Sequence, residues 1–124
     1  MTASKDKRGA SRPQKLLHDE EAEEISQLFH ALGDRTRRAM LDMLSQGPMS
    51  VTALAEPLGI TLTAVMQHMQ VLEEADLAKS EKVGRVRSCR IEPNGFDRLE
   101  RWVGAHRTEW ERKLDRLGSM LNSE

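Results

Sequence analysis

Apolar residues recur along this chain at helical spacing in five separate stretches, and at strand spacing in one place only. Ile25, Leu28, Phe29 and Leu32 make a first helical face. It belongs to a helix predicted over Leu16 to Leu32, whose first half is acidic (Asp19, Glu20, Glu21, Glu23, Glu24), as suits the positive end of a helix dipole. Gly33 closes that helix and Asp34 caps a second one, Arg35 to Leu44, with Ala39, Met40, Met43 and Leu44 turned inward. Gly47-Pro48 ends it.

The stretch from Met49 to Leu72 organises the rest. Ser50 is placed to cap a short helix that Pro57 and Gly59 stop. Thr61 caps the next helix, which carries Leu62, Val65, Met69 and Leu72 on one face. Two short helices joined by a glycine-bearing turn make a helix-turn-helix, whose second helix can enter a DNA major groove. Leu77 to Lys82 and Val86 to Ile91 then read as two strands around Val83-Gly84-Arg85, a β-hairpin. Glu92-Pro93-Asn94 breaks the second strand. A final helix from about Phe96 to Leu121 carries Phe96, Leu99, Trp102, Val103, His106, Trp110, Leu114, Leu117 and Leu121 at steps of three or four. The predicted fold is mainly α with a small β-hairpin, a winged helix-turn-helix of order α-α-α-α-β-β-α.

Length and composition narrow this further. The 124 residues suffice for one domain, 38% hydrophobic and 31% charged, with two Trp, two Phe and no Tyr. That balance favours helices over a β-sandwich. No apolar run reaches the length of a membrane span or a signal peptide, and one cysteine allows no internal disulfide. The expected setting is the cytoplasm. Residues 1–15 hold five Lys and Arg against Asp6 and read as a disordered basic arm ahead of a domain over 16–121.

The net charge of −1 does not mark a nucleic-acid binder, so charge placement decides. The hairpin carries Lys79, Lys82, Arg85, Arg87 and Arg90 against Glu81, a positive lobe suited to phosphates, with Lys82, Arg85 and Arg87 its candidate contacts. Arg35, Arg37 and Arg38 crowd the first turn of the second helix, where the dipole disfavours them. That conflict makes Arg37 a candidate for a phosphate or an acidic partner. On the helix from Thr61 to Ala75 the exposed positions are Thr61, Leu62, Thr63, Met66, Gln67 and Gln70, with His68 at the side. None is fully charged. Sequence would then be read by Gln on adenine, by Thr, and by apolar contact with thymine methyls. Two tryptophans on the last helix exceed what so small a domain covers. A second copy is the expected cover, through Leu28, Phe29, Leu99, Trp102, Val103, His106, Trp110, Leu114 and Leu117.

No catalytic constellation is present: no phosphate-cradling glycine loop, nucleophile elbow or HExxH. The chain is expected to be no enzyme and to need no cofactor.

The strings LFHALGDRTRRAMLDML at 28–44 and QHMQVLEEADL, with the element order above, resemble the ArsR/SmtB family of winged-helix repressors over residues 22–118. The resemblance implies a dimer that binds a double-stranded operator, and a backbone contact for His68. Its metal sites do not carry over. Ser50, Thr52 and Ala55 stand where metal-sensing members place cysteines. His106 and Glu109 match the second half of the other common site, but Pro93 and Gly95 stand where its first half belongs. No metal and no small-molecule effector is evident. Two alternatives remain at this point: a winged helix used for protein–protein contact, and a DNA-binding sensor acting through Cys89, flanked by arginines, or through His106.

Overall fold

The structure is a computed structural model and describes residues 14–122; the expected basic arm lies outside them, apart from Gln14 and Lys15. Five helices and three strands follow in the order α1 (Gln14–Leu32), α2 (Arg35–Leu44), β1 (Met49–Ser50), α3 (Val51–Leu58), α4 (Leu62–Glu74), β2 (Ala78–Val83), β3 (Val86–Ile91) and α5 (Pro93–Asn122). The winged helix-turn-helix is as predicted, with additions at three points.

The caps fall where the side-chain chemistry places them. Asp34 accepts the Arg37 N–H at 2.9 Å, Ser50 that of Ala53 at 3.0 Å and Thr61 that of Ala64 at 3.0 Å. Gly59 ends α3 at φ 67°, a left-handed corner that glycine takes without strain. Pro57 does not stop α3, as the sequence reading expects, but lies inside it one residue from the end.

The first addition is β1. Met49 and Ser50 pair antiparallel with Cys89 and Ser88, so the hairpin is the outer part of a three-stranded sheet of order β1-β3-β2. Two residues leave no alternation to read, which is why the pattern misses them. The second is the hairpin turn, which is tighter than expected: Val83 pairs with Val86, and only Gly84 and Arg85 form the loop, Gly84 at φ 65°. The third is α5, which begins at Pro93 rather than Phe96. Proline suits the first helical position because no N–H is needed there.

The core gathers Leu28, Met40, Leu54, Val65, Met69, Leu72, Leu77 and Cys89, all fully buried, from α1 to α4, the α4–β2 connection and β3. Phe96, Leu99 and Trp102 lay the start of α5 against it. At 1.5 Å per residue a 30-residue helix spans about 45 Å, and the rest of α5 projects past the core.

Candidate nucleic-acid interface

The candidate surface is built from α4 and the β2–β3 hairpin. Thr61, Leu62, Thr63, Gln67 and Gln70 are exposed along α4, and Met66 is half-buried. The sequence pattern lets Leu62 belong to the buried face as well as to the exposed one; it is 52% exposed and stands outside the core. Thr63, Met66, Gln67, Gln70, Ser80 and Arg87 face one open groove of roughly 470 Å³ between helix and hairpin.

One carboxylate ties the two sides of that groove together. Glu73, at the end of α4, accepts the Ser80 backbone N–H at 2.9 Å and its hydroxyl at 3.3 Å. Arg87 in turn donates to the Ser80 hydroxyl at 3.3 Å. The wing is thus fastened to the helix at its root while Lys82, Arg85 and Arg87 stay exposed. Val83 and Val86 flank the tip, 57% and 50% exposed. Arg90 is half-buried, 4.0 Å from Glu92, and pairs in register with Lys79.

Arg37 is not on this surface. It is 9% exposed, because its guanidinium is drawn inside by the end of α1. Nε donates to Ala31 O at 2.8 Å and Nη2 to His30 O at 2.9 Å, while Arg38 donates to Leu32 O at 2.7 Å. The last carbonyls of a helix have no partner within it and carry its negative pole. Two of the three arginines that crowd the positive end of α2, Arg37 and Arg38, therefore satisfy the negative end of α1, which resolves most of the conflict seen in the sequence. Arg37 also reaches His68 Nδ1 at 3.3 Å, and His68 Nδ1 lies 4.0 Å from Asp34 Oδ2. Arginine can only donate, so Nδ1 accepts and the ring N–H sits on Nε2. The hydrogen bond from the Arg37 N–H, ahead of the charge of Arg37, holds the Asp34 carboxyl below its usual range.

The groups weighed as sensors are placed differently. Cys89 is fully buried on the central strand, and burial, reinforced by Glu73, pushes its thiol up despite Arg87. Flanking arginines do not make it reactive, since the alternation that puts Arg87 and Ile91 on its side does not show that this side meets the core. His106 is half-buried, stacked on Trp102 at 4.2 Å, with Nδ1 3.0 Å from Trp102 O. Among the described residues no three His, Cys, Asp or Glu side chains gather as a metal site, and no helix is long and apolar enough to cross a membrane.

Of the residues expected at a subunit contact, Leu28 is excluded: it is fully buried within its own chain. Leu99 is half-buried against the same core. The others form one strip. Phe29 and Trp102 meet edge to face at 5.3 Å, Trp102 and Trp110 at 6.3 Å. Val103, Trp110, Leu114 and Leu117 are 47–65% exposed beyond them.

Comparison with known proteins bears on what this surface is for. A family profile described as a helix-turn-helix domain matches residues 32–81. The HTH-type transcriptional regulator Rv2034 of Mycobacterium tuberculosis is 34% identical over 96 residues, covering 77% of this chain and 87% of that protein. A crystal structure of an ArsR family transcriptional regulator, RHA00566, superposes with a TM-score of 0.68 at 40% identity, covering 73% of this chain and 93% of that one. This chain belongs to the ArsR family. It is a transcriptional regulator with a winged helix-turn-helix DNA-binding fold. A further relative, the transcriptional repressor SdpR of Bacillus subtilis, is 30% identical over 61 residues, 49% of this chain and 68% of that protein.

In this ArsR-family chain three residues that hold α4 escape sequence reasoning. Glu73 looks like one more acid in a polar segment. Asp76 follows α4 at φ 57°, a left-handed residue where glycine is the usual signal. Gly95 enters the sequence reading only where a metal ligand is missing, yet its N–H donates to Asp76 O at 2.8 Å, and a Cβ there would lie 2.4 Å from Ala75 O. Its lack of a side chain lets α5 dock on the end of α4.

Proposed function

We propose that the chain is a homodimeric repressor that binds a double-stranded DNA operator, with α4 in the major groove and the wing on the adjoining backbone. Thr61, Leu62, Thr63, Met66, Gln67 and Gln70 read bases or their edges. His68 offers Nε2–H to the backbone, and Lys82, Arg85 and Arg87 hold phosphates. The observation that carries this reading is the shared face: the uncharged Thr63, Met66, Gln67 and Gln70 of α4 border one groove with Arg87 of the hairpin, whose Lys82 and Arg85 are exposed beyond it. The repressor role rests on the likeness to SdpR.

Dimerisation is proposed through Phe29, Trp102, Val103, His106, Trp110, Leu114 and Leu117, an apolar strip too large to stay in water. A monomer would lack positive charge on its reading helix, and two copies place two such helices in successive major grooves. The division into a basic arm over 1–15 and a winged-helix domain over 16–121 belongs to this reading, with its helix taking in Gln14 and Lys15.

A gel shift on DNA upstream of the chain's own gene, across a salt series, tests it. Binding that weakens steeply with salt and selects one sequence is expected. No shift at low salt would favour a winged helix that docks a protein.

A further inference from the structure

The side chains that join α4 to the wing border the groove. Glu73, Ser80 and Arg87 line it together with Thr63, Met66, Gln67 and Gln70, and Glu73 is the one acid among these residues. Glu73 and Ser80 are half-buried and Arg87 is exposed. Across the hairpin Arg87 stands directly opposite Lys82. Like charges so placed destabilise a strand pair. Among the described residues the side chains of Lys82 and Arg85 have no hydrogen-bond or ion-pair partner, whereas Arg87 is tethered.

The chemistry of the hydroxyl explains the tether. A serine hydroxyl has one proton and two lone pairs. The Ser80 proton goes to Glu73 Oε2 at 3.3 Å, beside the Ser80 backbone N–H at 2.9 Å. A lone pair is thereby left for Arg87, whose Nη1 donates at 3.3 Å. Opposite charges at the two ends polarise the hydroxyl between them. The other N–H groups of Arg87 have no partner among the described residues and stay open to an anion.

We propose that Glu73 is a positioning residue for DNA: through Ser80 it holds the Arg87 guanidinium at the groove, so that an acid on a DNA-facing surface strengthens binding. This rests on the DNA reading of the same groove. The sign separates it from plain electrostatics. A carboxylate beside phosphates repels them, and the loss of that repulsion alone would tighten binding. Ordering a long side chain on binding lowers affinity, and the tether orders Arg87 beforehand. At physiological salt the repulsion is screened over about 8 Å, so the ordering wins.

Anisotropy titration of the full chain with DNA that it has selected, across a salt series, tests this. Glu73→Ala and Ser80→Ala should each weaken binding roughly 2- to 12-fold at physiological salt. The salt slope should stay unchanged, because Arg87 keeps its charge. Ser80→Thr, which retains the hydroxyl, should keep the affinity of the unaltered chain. In an Arg87→Ala background, Ser80→Ala should change nothing further and Glu73→Ala should tighten binding. Circular dichroism confirms that each variant is folded. Binding that Glu73→Ala tightens while Arg87 is present overturns the positioning role and leaves the DNA reading intact. So does a loss of the same size with and without Arg87, which would mean that Glu73 only braces the wing. An unaltered chain that binds no DNA overturns both.

Discussion

Replacing Arg37 by methionine separates two uses of one arginine. The stem keeps its volume, and the variant loses the guanidinium that donates to Ala31 O at 2.8 Å and His30 O at 2.9 Å. A hydrogen bond from a charged group is worth about 1.5–3 kcal/mol, so the gross loss is roughly 3–6 kcal/mol. Part is recovered because a charge no longer has to be held away from water, which leaves a net loss of about 2–4 kcal/mol. With a urea dependence of about 1–3 kcal/mol per molar, the unfolding midpoint should fall by roughly 1–2 M. The measurement needs a fixed protein concentration, since association would shift the midpoint. Arg38→Met is the control. Arg38 bonds the neighbouring carbonyl from an exposed position, and its loss should cost under about 1 kcal/mol. DNA binding of folded Arg37→Met should keep its salt dependence. A midpoint within 0.3 M of the unaltered chain, together with a salt slope reduced by about one, would refute this reasoning and make Arg37 a phosphate contact.

Gln67→Ala should weaken operator binding by about 1–3 kcal/mol and relax selectivity at one base pair, read by sequencing of selected DNA; unchanged selectivity would mean another residue reads that base. Arg85→Ala should weaken all sequences alike and lower the salt slope by about one. Cys89 should resist alkylation in the folded chain near neutral pH and react readily in urea, because burial keeps the thiol protonated. Asp34 is held below its ordinary range, so its contribution to stability is present above the unfolded value of 3.8 and is lost as pH falls through the lower folded value. Asp34→Ala should therefore flatten the acid limb of the stability curve, while removing a cap worth about 1 kcal/mol at neutral pH.

What the sequence discloses here is set by how local the signal is. The boundaries of α2, the caps at Asp34, Ser50 and Thr61, and the corner at Gly59 follow from side chains within four residues of the groups they satisfy. Those were legible. The fate of Arg37 depends on where α1 ends in space, which spacing along one helix does not give. Periodicity likewise grouped Leu28 with Phe29, although one is fully buried and the other 45% exposed, since a helical face is wider than the seam it packs into. The β1 strand and the Gly95 docking point involve one or two residues each, too few to carry a period.

Helix α4 is held at three places within a single chain. At its middle, His68 accepts from Arg37, which also holds the last carbonyls of α1. At its end, Asp76 receives Gly95 N–H and Arg98, which fix it to α5. Alongside, Glu73 holds the wing. Rotating α4 inside the protomer would break several of these bonds together and open a core in which Val65, Met69 and Leu72 are fully buried. The softer coordinate is the one between copies. In the proposed dimer the spacing of the two reading helices depends on how the α1 and α5 strips meet, and a ridge of Trp, Val and Leu tolerates small slides without losing hydrogen bonds. A signal that releases DNA in the proposed dimer would thus act on the α1–α5 seam and move each α4–hairpin unit as a rigid body.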